Sequence, residues 1–279
     1  MLDPEPDTLT FIGNATALLT LGPFTILTDP NFLHRGQWVH IGHGLHTRRR
    51  TEPAAQPADL PALDAVLLSH LHGDHFDRVA RQELSRDLPI VTTPHAARAL
   101  GRAGFRDTRD LRPWHDHTLT RDGASLTVTA VPARHSGTVL DHLLLPPVMG
   151  SVVEYRSTPD AGRAGTLRLY LSGDTMPHRT LRPIHERFGD LDVAVLHLGG
   201  TRVLGLWLSM NDRHGADLLQ LLRPGAVVPV HHDDYGLFTS PLSNFLVEVA
   251  ARGLPSRVRP VLRGESIPLR RAGPAPEEG

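Results

Sequence analysis

Residues 70–77 read HLHGDHFD and follow directly on the apolar run DAVLLS at 64–69. Three histidines and two aspartates thus fall within eight residues at the end of what reads as a buried strand. In an extended chain alternate side chains point the same way, so His70 and His72 can reach one cation side by side. Gly73 permits a sharp turn with close backbone approach. Asp74 and His75 follow the turn and can face a second position beside the first. Neutral imidazole and carboxylate are good ligands for zinc, manganese or iron. One histidine at a strand end is ordinarily a solvated polar residue; H-x-H-x-D-H after a buried strand is not accounted for that way.

The rest of the composition narrows what such a cluster can be. The chain has 279 residues, enough to bury a substantial core, and no cysteine, which excludes disulfides, thiolate metal sites and a cysteine nucleophile. Any metal must be held by His, Asp or Glu, and the 18 histidines are well above ordinary usage. All 29 basic residues are arginine, and the formal net charge of −1 suggests neither a nucleic-acid binder nor an acidic tail. No apolar run reaches the roughly 20 residues of a membrane span. The start, MLDPEPDT, is acidic and proline-rich, unlike a signal peptide. The expectation is a soluble cytoplasmic protein acting on a small molecule, with no nucleic-acid partner and no integral membrane segment; an oligomer is left open.

Working outward, residues 8–28 contain three short β-type runs punctuated by Gly13-Asn14 and Gly22-Pro23, which predicts an antiparallel meander. Residues 31–61 carry Gly, Pro, His and Arg without clear periodicity and read as a functional loop, lid or insertion. DAVLLSH is a strand, DRVARQELSRDL has helical spacing with Val79 and Leu84 on its inner face, PIVTT is a strand, and PHAARALGRAG is a helix opened by Pro94 and closed by Gly101 and Gly104. SLTVTAVPA, GSVVEY, TLRLYLSGDT, DVAVLHL and GAVVPVHH read as further strands. Helices are expected over 178–188, over MNDRHGADLLQLL with Asn211 or Asp212 as cap, and over PLSNFLVEVAAR; SRVRPVL reads as a final strand. Antiparallel runs that give way to alternation with helices predict two sheets packed together with helices outside, a layered α/β arrangement. A single domain is expected over 1–270, in two strand-then-helix halves of about 1–130 and 131–270, with 271–279 a disordered tail.

HLHGDH resembles the H-x-H-x-D-H signature of the metallo-β-lactamase superfamily. IGNATALLTLGPFTILTDP is similar to the opening strands of the branch that contains the ascorbate-phosphate lactonase and N-acylphosphatidylethanolamine phospholipase D. VPARHSG, LSGDT and VPVHHDDYG fall in the order of that family's remaining ligand motifs, so the resemblance spans residues 10 to about 236. It implies that His70, His72 and His135 hold a first metal, that Asp74, His75 and His231 hold a second, and that Asp174 bridges them. It also implies that the layered α/β arrangement is a four-layer αββα sandwich of two mixed sheets. Alternation turns His231 and His232 opposite ways, so one of them should ligate, and the family pattern favours His231. Relatives close the last motif with His, an aromatic residue and Gly; HHDDYG departs from this, so Asp233, Asp234 or Tyr235 can enter the pocket. TVLDHLLLPPVMGS after His135 departs as well.

The expected activity is that of a metal-dependent hydrolase using a hydroxide that bridges two divalent cations, zinc first and manganese second, about 3.5–4 Å apart. Phosphodiesters, phosphoesters and lactones are the substrate classes. Asp74 would orient the nucleophile or take its proton, and Asp77 would cap a helix or support a histidine. His232, Tyr235, His197 and His178 are the candidates for proton donor, and the sequence does not rank them. Arg48, Arg49 and Arg50 would either bind a substrate phosphate or form a solvated turn. Trp38 and Trp207 would line a pocket or pack in the core. His34, His40, His43 and His46 in the long loop are too irregularly spaced for a third metal site, and the two histidines of RPWHDH read as surface residues. The competing readings are a mononuclear iron oxygenase of the persulfide type, which shares H-x-H-x-D-H, and a non-enzymatic ligand-binding protein on the same fold.

Overall fold

A computed structural model describes residues 7–42, 44–136, 145–158, 165–203 and 205–270. His43, the first half of the departure that follows His135, and the tail from 271 lie outside the described residues. Chain order opens with β1 (Thr8–Gly13), β2 (Thr16–Leu21), β3 (Phe24–Thr28), β4 (Trp38–His40), β5 (His46–Arg48) and β6 (Ala65–Leu67). It continues through α1 (Arg78–Glu83), β7 (Ile90–Thr92), α2 (Pro94–Arg102) and β8 (Thr108–Asp110). Next come β9 (Asp116–Arg121), β10 (Ala124–Pro132), β11 (Met149–Arg156), β12 (Thr166–Leu171), α3 (Pro183–Phe188) and β13 (Val193–His197). The last part holds β14 (Arg202–Val203), β15 (Leu206–Trp207), α4 (Asp212–Leu222), β16 (Ala226–Val230), α5 (Leu242–Ala251), β17 (Arg257–Val258) and β18 (Ser266–Pro268).

Two seven-stranded sheets result, ordered β18-β1-β2-β3-β6-β7-β8 and β17-β16-β13-β12-β11-β10-β9. Each is an antiparallel meander that changes to parallel pairing at one strand, β3 in the first sheet and β12 in the second. Strand period decides which face goes where. In β13, Val193 and Val195 point into the core between the sheets, and Ala194 and Leu196 point out under helices. Leu9, Phe11, Leu19 and Ile26 meet Leu126, Val153 and Leu169 in that central core. Outside the first sheet, Ala80, Ala96 and Leu100 of α1 and α2 cover Leu27 and Val66. Outside the second, Ile184, Leu218 and Phe245 of α3, α4 and α5 cover Tyr170 and Val227. The expected helix–sheet–sheet–helix layering of an α/β sandwich is borne out.

Local expectations fared unevenly. Asp77 caps α1 by accepting from Ala80 N at 2.8 Å, and Asn211, rather than Asp212, caps α4 by accepting from His214 N at 2.9 Å. The strand DAVLLSH is regular only over 65–67; Leu68 N still donates to Val91 O at 2.9 Å, and Ser69 N turns to the Asp29 carboxylate. The helix expected over 178–188 is regular only from Pro183, after a 3₁₀ turn at Arg179–Leu181. A division near residue 130 does not match the sheets, because β9 and β10 already belong to the second sheet while β18 returns to pair with β1. Within 31–61, read as a functional loop, lid or insertion, β4 and β5 form a hairpin whose Val39 and Thr47 are buried, as is Arg49 just after it.

Candidate metal centre

The parallel strands of both sheets end at one rim, which gathers the side chains following β3, β6, β12, β13 and β16. His70, His72, Asp74, His75, His135, Asp174 and His231 are all buried there. His72 Nδ1 lies 3.0 Å from His70 Nε2 and 3.2 Å from His135 Nε2. His135 Nδ1 donates to the Leu208 carbonyl at 2.6 Å, so its Nε2 presents a lone pair. Ser69 Oγ donates to Asp29 Oδ2 at 2.9 Å and so accepts from His70 Nδ1 at 3.0 Å, which leaves the His70 Nε2 lone pair pointing inward too. One proton on His72 cannot satisfy both neighbours. Three imidazole nitrogens that converge at these separations fit a tetrahedral zinc-type cation, for which N···N is about 3.3 Å.

A second group is richer in carboxylate. His231 Nε2 lies 3.3 Å from Asp74 Oδ2, and His75 Nε2 lies 3.8 Å from the same oxygen and 3.4 Å from Asp174 Oδ2. His231 Nδ1 faces the Leu198 carbonyl at 3.1 Å and His75 Nδ1 faces Asp29 Oδ2 at 3.1 Å, so both rings turn Nε2 toward the carboxylates. Asp174 groups with His70 and His75, one member of each cluster, which places it between them. Buried atoms at the centre without a hydrogen-bond partner include His75 Nε2, Asp74 Oδ1 and Asp174 Oδ1. Such atoms are costly unless something binds them, and hard oxygen with imidazole nitrogen suits a divalent cation.

The electrostatics divide the same way. Burial and the neighbouring imidazoles hold His70 well below the usual histidine range and bring His72 to about 3, so both are neutral donors. Burial alone would also lower His75 and His231, but Asp174 and Asp74 outweigh it and raise both. Asp174 is pushed up by burial yet held well below its ordinary value by His231 and His75.

Asp29, at the end of β3, was missed by sequence reasoning. Its Oδ1 accepts from Ser69 N at 2.7 Å, and its Oδ2 accepts from Ser69 Oγ and His75 Nδ1, with His197 Nε2 at 3.3 Å. One carboxylate therefore orients His75 directly and His70 through Ser69. Burial opposes its ionisation, but His75 and His197 bring it to about 2. The only signal was its place in TDP, directly after a strand. His197 lies behind Asp29 and also bonds Ser172 Oγ at 3.1 Å.

His231 and His232 are separated by a turn and not by strand alternation. The chain leaves β16 at Val230 and His231 takes a left-handed φ of 60°, with its N–H donating to Asn14 O at 2.8 Å. Strain of this kind persists where surrounding contacts fix it. His232 sits beside Asp233 at 3.7 Å and belongs to none of the clusters of possible metal-binding residues. Tyr235 lines a cleft of about 20 Å³ with Asp74, His135 and Asp174, and its hydroxyl donates to Asn31 Oδ1 at 2.9 Å. Ile41 and Thr47 of the β4–β5 hairpin form the opposite wall.

Several expectations need correction. Asp77 supports no histidine; beyond its cap it accepts from Phe32 N and Leu33 N at 2.6 and 2.7 Å. Arg49 is neither a solvated turn residue nor free for a phosphate: it is buried and paired with Asp234 at 3.2 Å. Asp234 is taken up by that pair and by Arg263, and so does not enter the cleft. Arg48 lies over the ring of Trp38, which is 58% exposed and does not line the cleft. Trp207 packs against the core under α4. His178 is set apart beside Thr175 and Thr180, and burial and Arg134 bring it to about 4.

Among known proteins, the family model for the beta-lactamase superfamily domain matches residues 25–232. A metal-dependent hydrolase of Deinococcus radiodurans is 29% identical over 195 residues, 70% of this chain and 76% of that protein. N-acyl-phosphatidylethanolamine-hydrolyzing phospholipase D 1 of Caenorhabditis elegans is 24% identical over 245 residues, 83% of this chain and 65% of that protein. Among solved structures, isothiocyanate hydrolase from Delia radicum gut bacteria superposes with a TM-score of 0.77 at 22% identity, covering 93% of this chain and 98% of that one. At that identity the likeness concerns the fold. No helix among the described residues is long and apolar enough to cross a membrane.

Proposed function

The chain belongs to the beta-lactamase superfamily domain family and has the metallo-β-lactamase fold, and on that premise we propose that it is a dinuclear metal-dependent hydrolase acting on a phosphodiester, phosphoester or lactone. The observation that supports this most is the convergence of seven buried imidazole and carboxylate side chains with unpartnered atoms turned inward. His70, His72 and His135 would hold one divalent cation, Asp74, His75 and His231 the other, and Asp174 would contact both. Zinc suits the imidazole group, and manganese is the alternative for the carboxylate-rich one. Cations so held would polarise a substrate oxygen and would lower the pKa of a bound water toward neutrality.

The chain's own residues supply the rest. Asp29 fixes the rings of His75 and His70, so their nitrogens need no reorganisation. Asp74 also lines the cleft, where its carboxylate would accept a proton from the attacking water. Burial pushes the Tyr235 hydroxyl far above its ordinary value, so it stays protonated and serves as a fixed neutral wall of the cleft. No role falls to His232. Leu208, Phe238 and the hairpin exclude bulk water.

The test is a panel of phosphodiesters, phosphomonoesters and lactones offered to metal-stripped protein reloaded with zinc or with manganese. Turnover of at least one class, lost in His72→Ala, is expected. No turnover, or oxygen consumption that depends on iron, contradicts the reading.

A further inference from the structure

A second cavity at this rim is larger than the polar cleft. A cavity of about 230 Å³ opens on the other side of His135, where β10 ends and β11 begins. Five of its twelve lining residues are proline: Pro94, Pro113, Pro132, Pro146 and Pro147. Proline has no backbone N–H, so much of this wall has no donor to offer. Leu111, Ala133, Leu145, Val148 and Met149 complete its apolar lining. Among the described residues that line it, none is an aspartate, glutamate or arginine. Its two polar side chains are engaged elsewhere, Thr93 Oγ1 by Ala96 N at 3.2 Å and His135 Nδ1 by Leu208 O.

We propose that this cavity is the subsite for an aryl or alkyl arm of the substrate, whose hydrolysable group sits across His135 in the metal centre. This rests on the hydrolase reading above. His135 lines both the cavity and the cleft, so the two adjoin across that one side chain. Phosphate or sugar hydroxyls would find no partner along the proline wall and would lose their hydration, whereas an apolar group gains. A cavity of ~150 Å³ lined by aliphatic and aromatic residues accepts benzene, so this one suits an arm somewhat larger than a phenyl ring. The substrate class that follows is a lactone or phosphoester bearing such an arm. Ala133 and Leu145, both half-buried and neither among the metal-binding candidates, set its size.

Two readouts test this on the full-length protein. The first is saturation-transfer NMR with benzyl alcohol and 1-hexanol, on wild type, Ala133→Phe and Leu145→Trp. The second is kcat/KM of the metal-loaded protein for γ-lactones and aryl phosphodiesters whose arms run from methyl to hexyl. Wild type should bind both probes and favour the hexyl over the methyl substrate by ~10-fold or more. Each occluding variant should lose the probe signal and the preference while its methyl-substrate kcat/KM stays within about twofold of wild type. Chain-length independence in wild type, or probe binding retained in both variants, overturns the proposal. If no substrate is turned over, loss of the probes in the variants still supports the subsite, and it is the hydrolase reading that falls.

Discussion

Arg49 Nη2 and Asp234 Oδ1 lie 3.2 Å apart with both side chains fully buried. Asp234 also accepts from Asn14 N at 2.8 Å, from Arg263 Nη2 at 2.9 Å and from Thr51 Oγ1. Arg49 donates to the Asn31 carbonyl at 2.9 Å and to its side-chain oxygen. From Asn31 and Asn14 the bonds continue to Gly73 O at 3.2 Å and Asp74 O at 2.6 Å, and His231 N closes the circuit on Asn14 O. The pair therefore fastens the backbone of two segments that the centre draws on. Removing one partner leaves the other charge buried. Asp234→Ala should cost about 3–5 kcal/mol in urea unfolding, and adding Arg49→Met should recover much of that loss.

The same pair sets an acid limit. Burial opposes ionisation of Asp234, but Arg49 and Arg263 bring it to about 2. Its folded value is thus below the unfolded one, so its contribution is full above about pH 4 and is lost as pH falls toward about 2. A loss of roughly 2 kcal/mol over that window is expected from this group. Asp234→Asn should be less stable at neutral pH and show a shallower decline below pH 4 in denaturation followed by circular dichroism.

Asp29 reaches the centre only through His75 and Ser69. Asp29→Asn should keep the fold yet weaken metal binding by about 10–100-fold, read by competition with a chromophoric chelator. Unchanged affinity would mean that the rings need no orienting group.

Gly73 lies under the hairpin. A Cβ built there would meet His40 O at 2.3 Å and Val39 Cγ2 at 2.8 Å, and the first of these is backbone that cannot rotate away. Gly73→Ala should displace β4–β5 from the cleft and lower turnover by about 100-fold. Metal content should stay at the wild-type level, which separates this variant from changes at the metal-binding candidates.

What could be read in the chain follows from how local each signal is. H-x-H-x-D-H is contiguous; the segments holding His135 and Asp174 each follow a strand that alternates, and His231 follows the continuous apolar run AVVPV. The antiparallel opening strands were legible because Gly13-Asn14 and Gly22-Pro23 mark their turns. By contrast β18 is three residues long and pairs with β1 across the whole chain, which no local pattern announces. β4 and β5 bury one residue each, too few to show a period. Arg49 and Asp234 are 185 positions apart, and an arginine in RRR gives no hint that it alone is buried. Asp29 is a single acid after a strand; its role appears only when Ser69, His75 and His197 are brought around it.

Metal content of the purified protein bears most directly on all of this. Mass spectrometric metal analysis, with anomalous scattering to place the ions, should find two zinc or manganese ions per chain, one among His70, His72 and His135 and one among Asp74, His75 and His231. In Asp174→Ala the content should fall below two. A single iron per chain, or full-length protein that takes up no metal, would contradict the dinuclear hydrolase.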